Sequence, residues 1–117
     1  MAPREGSAAG SILRGSIWWV DLDPTRGAEI QTGRPAVVVT DDGLNRVRRT
    51  VVVVPLSTGP VPRPPIVVAV PSAGVGSVAV CDRLRAVDRT RLTRREGVLS
   101  REDLLAVENG VRAVLVL

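Results

Sequence analysis

The sequence predicts a mainly β domain, a small twisted barrel with one terminal α-helix. Three observations carry this. Short β-branched runs recur at close spacing with Gly/Pro/Ser/Asp punctuation between them. Helical periodicity is confined to the last stretch of the chain. No strand-like run alternates with a helical one, so βαβ units are absent and no internal repeat or domain boundary divides the chain.

Residues 1–13 are small and polar and are expected to form a poorly ordered tail, leaving 14–117 as the folded domain. Residues 16–22 form the first strand. Alternation puts Ile17, Trp19 and Asp21 on one face and Trp18, Val20 and Leu22 on the other. Two adjacent Trp cannot enter one core, so one of them reaches a groove or an interface, although simple packing accounts for either alone. Residues 36–40 form a second strand ended by Asp41-Asp42-Gly43, and residues 45–49 make a basic turn with Arg46, Arg48 and Arg49. Residues 50–56 form a third strand. Pro60, Pro62, Pro64 and Pro65 then force an extended connection. Residues 66–70 and 77–81 are two further strands, and residues 82–95 continue a strand into a short helical turn. Finally, Ser100 to Asp103 reads as a capping box, followed by Leu104, Val107, Val111 and Val114 at helical spacing. Gly110 interrupts that helix at a cost of about 1 kcal/mol relative to Ala.

Composition narrows the function classes. The chain has 117 residues, 44% of them hydrophobic, and the two Trp are its only aromatics, so the core is aliphatic and rich in Val. No apolar run approaches the roughly 20 residues of a membrane span, and the first residues lack the apolar segment of a secretory signal, so a cytoplasmic location is expected. Cys81 stands alone, which fits a reducing compartment and leaves no internal disulfide. All sixteen basic residues are Arg, against twelve acidic ones, for a net charge of +4. A GC-rich genome accounts for such usage, yet Arg forks also grip phosphate bidentately, so nucleic acid stays among the candidate partners. There is no His. A His acid–base pair and a His-based metal site are therefore excluded, and one Cys does not make a zinc cluster.

The first and second strands are joined by a long polar loop that runs from Asp23-Pro24 to Arg34-Pro35 and carries Arg26 and Glu29. A long loop held between rigid strands is where function tends to concentrate. It is read here as one wall of an active site.

Taken together, RGSIWWVDLDPTRGAE, GRPAVVVTDDGLNR, TVVVVPLST, DRLRAVDRTRLT and the Leu/Val-rich C-terminal helix resemble the MazF/PemK toxins. The likeness spans residues 14–117 with the motifs in order. It implies an SH3-like antiparallel barrel with a C-terminal helix, assembled as a homodimer. It further implies an endoribonuclease toxin that cleaves single-stranded RNA at short sequences with no metal or other cofactor. A cognate MazE-like antitoxin with an acidic C-terminal segment would neutralise it. Carried over by motif, the catalytic residues are Arg34 of the Arg-Pro pair, Ser57 where the third strand ends, and Glu29 of the loop. RNA contacts are implied at Trp19, Arg26, Gln31, Thr32, Thr58, Arg83 and Arg85. The chain departs from the family pattern in three places. Ser57 replaces the commoner Thr and keeps the hydroxyl, whereas Ala28 with Ile30, and Arg83, fall where the family touches RNA and bear on sequence specificity.

The chemistry stands on its own terms as well. RNA cleaves when its 2′-OH attacks the adjacent phosphorus. An enzyme must align that attack, neutralise the phosphorane oxygens and move two protons. Arg34 is a bidentate donor suited to the oxygens, and Ser57 can add a hydrogen bond. Arg is effectively never deprotonated, so Glu29 is the carboxylate to take the 2′-OH proton. An ion pair with Arg26 is an equally good use for it. Each residue also has an ordinary structural use: Arg34 as a strand anchor, Ser57 as a turn residue, Arg46, Arg48 and Arg49 as a solvated hairpin. Two rival functions share the architecture. A CcdB-like gyrase poison uses an aromatic near the C-terminus, and here the chain ends Val-Leu-Val-Leu. A non-catalytic RNA-binding barrel stacks bases on several aromatics, and two Trp are few.

Overall fold

The computed structural model describes residues 12–21 and 33–117. Strand β1 is Ser16–Asp21, β2 is Gly33–Val38, and a short helix α1 covers Asp42–Val47. Strand β3 is Thr50–Ser57, β4 is Val67–Ala69 and β5 is Val78–Val80. Strand β6 is Arg85–Asp88, β7 is Leu92–Val98, and helix α2 is Arg101–Leu115. Single 3-10 turns lie at Pro71–Ala73, Cys81–Arg83 and Arg89–Arg91. No helix among the described residues is long and apolar enough to cross a membrane.

The strands form one seven-stranded sheet in the order β4-β5-β3-β2-β1-β7, with β6 pairing the first half of β3. Every pairing is antiparallel. The mainly β, helix-terminated class is as the sequence implies, but the sheet is not closed. Among the described residues no strand ladder joins β7 to β4. Instead Ser72, in the 3-10 turn after β4, donates from its amide to Asp103 Oδ2 at 2.8 Å and from its hydroxyl to the same oxygen. The Ser100 amide donates to Ser72 Oγ at 2.9 Å. Side chains thus bridge the seam where a barrel would have backbone bonds.

The same network completes the helix cap. Ser100 Oγ accepts from the Asp103 amide at 3.1 Å, as the sequence implies. The return half of the capping box is rerouted, because the Asp103 carboxylate is taken up by Ser72. Helix position and seam closure are therefore one construction.

Strand alternation gives the sheet two buried faces. Ile17, Val37, Val54 and Leu56 point to one, where Val107 is fully buried and Leu104, Val111 and Val114 of α2 pack against them. Ile12, Trp18, Val20, Ala36, Val38, Val51 and Val53 fill the other. Each buried Val or Leu is worth about 1.5–3 kcal/mol relative to exposure. Trp18 is 2% exposed, and its indole N–H donates to Ser16 Oγ at 2.9 Å. Trp19 stays half-buried on the opposite face. Pro55 interrupts neither ladder on its outer edge: β6 pairs residues up to Val53 and β5 begins at Leu56.

Three segments correct or extend the sequence reading. The basic turn at residues 45–49 is largely helix α1, capped by Asp41 accepting from the Gly43 amide at 2.8 Å. Arg89 reaches back to donate to the carbonyls of Asn45 and Arg48 at its other end, the role a cation fills at a helix C-terminus. The strand and short helical turn expected within residues 82–95 are β6 and the 3-10 turn Arg89–Arg91, after which the chain enters β7, an edge strand of which only Leu92 is buried. Edge strands carry charge to discourage further pairing, and Thr93-Arg94-Arg95-Glu96 does so here.

Gly110 is the third. A Cβ there would lie 2.4 Å from Cys81 Sγ and 2.5 Å from the Pro65 carbonyl oxygen. The helix tolerates Gly because it must press against the chain beneath. Gly110→Ala gains about 1 kcal/mol of helix propensity but forces overpacking that costs roughly 1–3 kcal/mol. A fall in the urea midpoint is the expected net result, and an unchanged or higher midpoint would refute this account.

Candidate active site

A cavity of about 450 Å³ opens at the seam of the sheet. Strand β2 supplies Arg34 and Pro35, the end of β3 supplies Leu56, Ser57 and Thr58, and β7 supplies Glu96, Gly97 and Val98. Ile17 forms part of the wall, and Ser72, Ala73 and Ser77 complete it. The local sequence explains why these residues meet. Pro35 needs no ladder donor and fixes the backbone beside Arg34. Beyond Ser57 the Ser/Thr/Gly/Pro sequence ends the strand, and the Gly59 amide donates to Ser57 Oγ at 3.4 Å. No strand ladder closes the seam here, and Ser72, which bonds Asp103 across it, lines the cavity.

Of the residues singled out in the sequence, Arg34, Ser57 and Thr58 line this one cavity. Arg34 is exposed, and no described carboxylate bonds it. Trp19 pairs across the strands with Pro35, and its indole lies over Gly33, where a Cβ would fall 2.2 Å from Nε1. Glycine is therefore the residue that lets Trp19 lie flat beside the cavity. The Arg94 guanidinium sits over the same indole at 5.3 Å, within cation–π range. Arg83 ends a 3-10 turn and Arg85 opens β6 opposite Val53, and neither lines the cavity. Arg26, Glu29, Gln31 and Thr32 lie outside the described residues.

Sequence reasoning missed Glu96. It lies in a run of charges that reads as a solvated strand face, and only the register explains its place. Ile17 pairs with Gly97 while Trp18 pairs with Arg95, so Glu96 is the unpaired residue of a β-bulge. Bulges re-aim side chains, often toward functional sites. Its Oε2 accepts from Arg94 Nε at 2.6 Å. The following Gly97, at φ +157°, occupies a conformation that side chains rarely adopt.

Cys81 is no part of this site. It is fully buried beneath α2, and burial, helped by Asp82, pushes its thiol up to about 11. A thiol so placed stays protonated and inert.

The sequence and fold have known counterparts. The model of the PemK-like, MazF-like toxins of type II toxin–antitoxin systems matches residues 13–115. Endoribonuclease MazF9 of Mycobacterium tuberculosis is 33% identical over 110 residues, covering 86% of this chain and 93% of that protein. Endoribonuclease PemK of Escherichia coli is 44% identical over 79 residues, covering 64% of this chain and 59% of that protein. In three dimensions the chain superimposes on a mycobacterial endoribonuclease solved in complex with its cognate antitoxin. That match has a TM-score of 0.73 and 21% identity, covering 90% of this chain and 95% of the other. An ordered set of motifs, an open helix-capped sheet and a match over nearly the full length agree: the chain belongs to the PemK-like, MazF-like toxins of type II toxin–antitoxin systems.

Proposed function

We propose that this endoribonuclease toxin holds the scissile phosphate of a single-stranded RNA in the seam cavity, between Arg34 and Ser57. The observation that carries the proposal is that the Arg of β2 and the hydroxyl at the end of β3, far apart in sequence, line one cavity with Thr58 beside them. The guanidinium fork donates two hydrogen bonds to the non-bridging oxygens as they gain charge, and the Ser57 hydroxyl adds a third. The nucleophile is the RNA's own 2′-OH, so the products carry 2′,3′-cyclic phosphate and 5′-OH ends. Glu29 receives the 2′-OH proton or orders the loop with Arg26; Glu29→Gln separates the two roles through rate at unchanged RNA affinity. Trp19 beside Pro35 offers a face for a base to stack on. Arg26, Gln31, Thr32, Arg83 and Arg85 supply further contacts to the RNA.

The same basic surface suits the acidic segment of a cognate antitoxin, which would compete with RNA because both present negative charge along an extended backbone. In the related mycobacterial complex an antitoxin is bound to the same fold. The toxin works in the cytoplasm as a homodimer, with exposed Val98, Leu105 and Leu117 among the apolar side chains open to burial by a second copy. Family membership favours this reading over a gyrase poison or a passive RNA binder.

The deciding experiment is direct. Purified protein incubated with single-stranded RNA in EDTA is expected to release discrete fragments bearing cyclic phosphate, and intact RNA at every enzyme concentration would reject the proposal.

A further inference from the structure

Under the function just proposed, on which this reading of Glu96 rests, the residue is a puzzle. A carboxylate lining a phosphate cavity repels its substrate unless it has a task there. Among the described residues it is the only acidic side chain lining the cavity.

Three features constrain that task. The Arg94–Glu96 pair, at 2.6 Å, offsets the negative charge, so the carboxylate need not expel the phosphate. Arg94 takes Oε2, and no described group donates to Oε1. Arg94 is itself seated over Trp19, so the carboxylate is held from behind rather than swinging freely. Position matters too. Arg34 is on β2 and Glu96 on β7, with β1 between them. Two strand spacings separate their backbones by about 10 Å along the sheet, so the two side chains enter the cavity from opposite walls. The span suits a nucleotide with its phosphate at the Arg34 end and its base toward Glu96.

We propose that Glu96 is a specificity-determining residue that reads the Watson–Crick edge of one nucleobase near the cut and selects an amino-bearing base against uracil. An ionised carboxylate only accepts hydrogen bonds. Cytosine, adenine and guanine each offer it an exocyclic amine, as carboxylates accept from cytosine N4 in other nucleic-acid complexes. Uracil has no exocyclic amine, and its N3–H is flanked by two carbonyl oxygens that a carboxylate repels. Single-stranded RNA is recognised on these edges because its bases are splayed from the stack. A hydrogen bond to a charged group supports a preference of about ten- to a hundredfold.

The test compares cleavage profiles. A pool of single-stranded RNAs with random sequence is cut by the wild-type protein and by Glu96→Gln, and the bases around every cut are counted. The wild type is expected to avoid uracil at one position next to the cut. Gln, which both donates and accepts, should admit uracil at that position while preferences elsewhere stay unchanged. Glu96→Asp keeps the carboxylate and should keep the exclusion, which also covers a failure of the Gln variant to fold. Identical profiles for wild type and Glu96→Gln overturn the proposal, as does a uniform loss of rate at all sequences, which would make Glu96 a participant in the chemistry. A wild-type protein that cuts nothing removes the proposed function and the role of Glu96 together, whereas ordinary cutting with an unaltered profile removes the role of Glu96 alone.

Discussion

RNA carrying a single 2′-deoxynucleotide on the 5′ side of the cut is expected to resist cleavage completely while binding nearly as well as the parent. The reason lies in what the cavity lacks as much as in what it holds. Arg34, Ser57 and Thr58 can grip and polarise a phosphate, but none is an activated nucleophile. No His exists to deprotonate Ser57, and the one thiol is buried with its pKa raised to about 11. The nucleophile proposed is therefore the substrate's own 2′-OH. Removing that oxygen deletes the reaction but only one contact among many to phosphates and bases, so affinity should hardly change. Gel-shift affinity and fragment yield measured on the same oligonucleotide separate the two. Cutting at the deoxy position would require a nucleophile from the protein or from water, and the mechanism would have to be abandoned.

How much of this was legible in the sequence depends on how each feature is encoded. Strand alternation assigns Trp18 and Trp19 to opposite faces, and the structure keeps them there. Which indole is buried was not legible, because both faces of this sheet carry a core and the choice depends on Gly33 making room for Trp19. The Ser100 cap was legible as a local pattern, yet its partner Ser72, 28 residues away, was not. Arg34 and Ser57 stood out through the order of several motifs rather than by their own identity. Glu96 had no such signal. Its place depends on a one-residue slip between β1 and β7, and register of that kind is set by packing, not by residue type. Strand β7 gives little signal for a related reason: an edge strand with one buried residue has almost no period-two pattern. Gly110 looked like a weak point in a helix because the close approach of Cys81 and Pro65 joins segments distant in sequence.

Arg34→Ala should lower the cleavage rate by on the order of 10²–10³, equivalent to about 3–4 kcal/mol of transition-state stabilisation, the usual effect of deleting one preorganised donor to a developing oxyanion. The residue is exposed on a short strand whose buried members are Ala36, Val37 and Val38, so the variant should fold normally and its melting midpoint should move little. Arg34→Lys should restore only a small part of the loss. A single ammonium can neutralise charge but cannot make two parallel bonds to the phosphorane oxygens. The Ser57 variants grade the second donor. Ser57→Ala removes it and should slow cleavage less than Arg34→Ala, since a neutral hydrogen bond is weaker than a charge-assisted one. Ser57→Thr keeps the hydroxyl and should remain close to wild type. Single-turnover rates at saturating enzyme isolate the chemical step from binding. If Arg34→Ala cleaved at the wild-type rate under those conditions, or if Arg34→Lys were fully active, the guanidinium would have no special part in the transition state, and the phosphate would have to be stabilised by other groups.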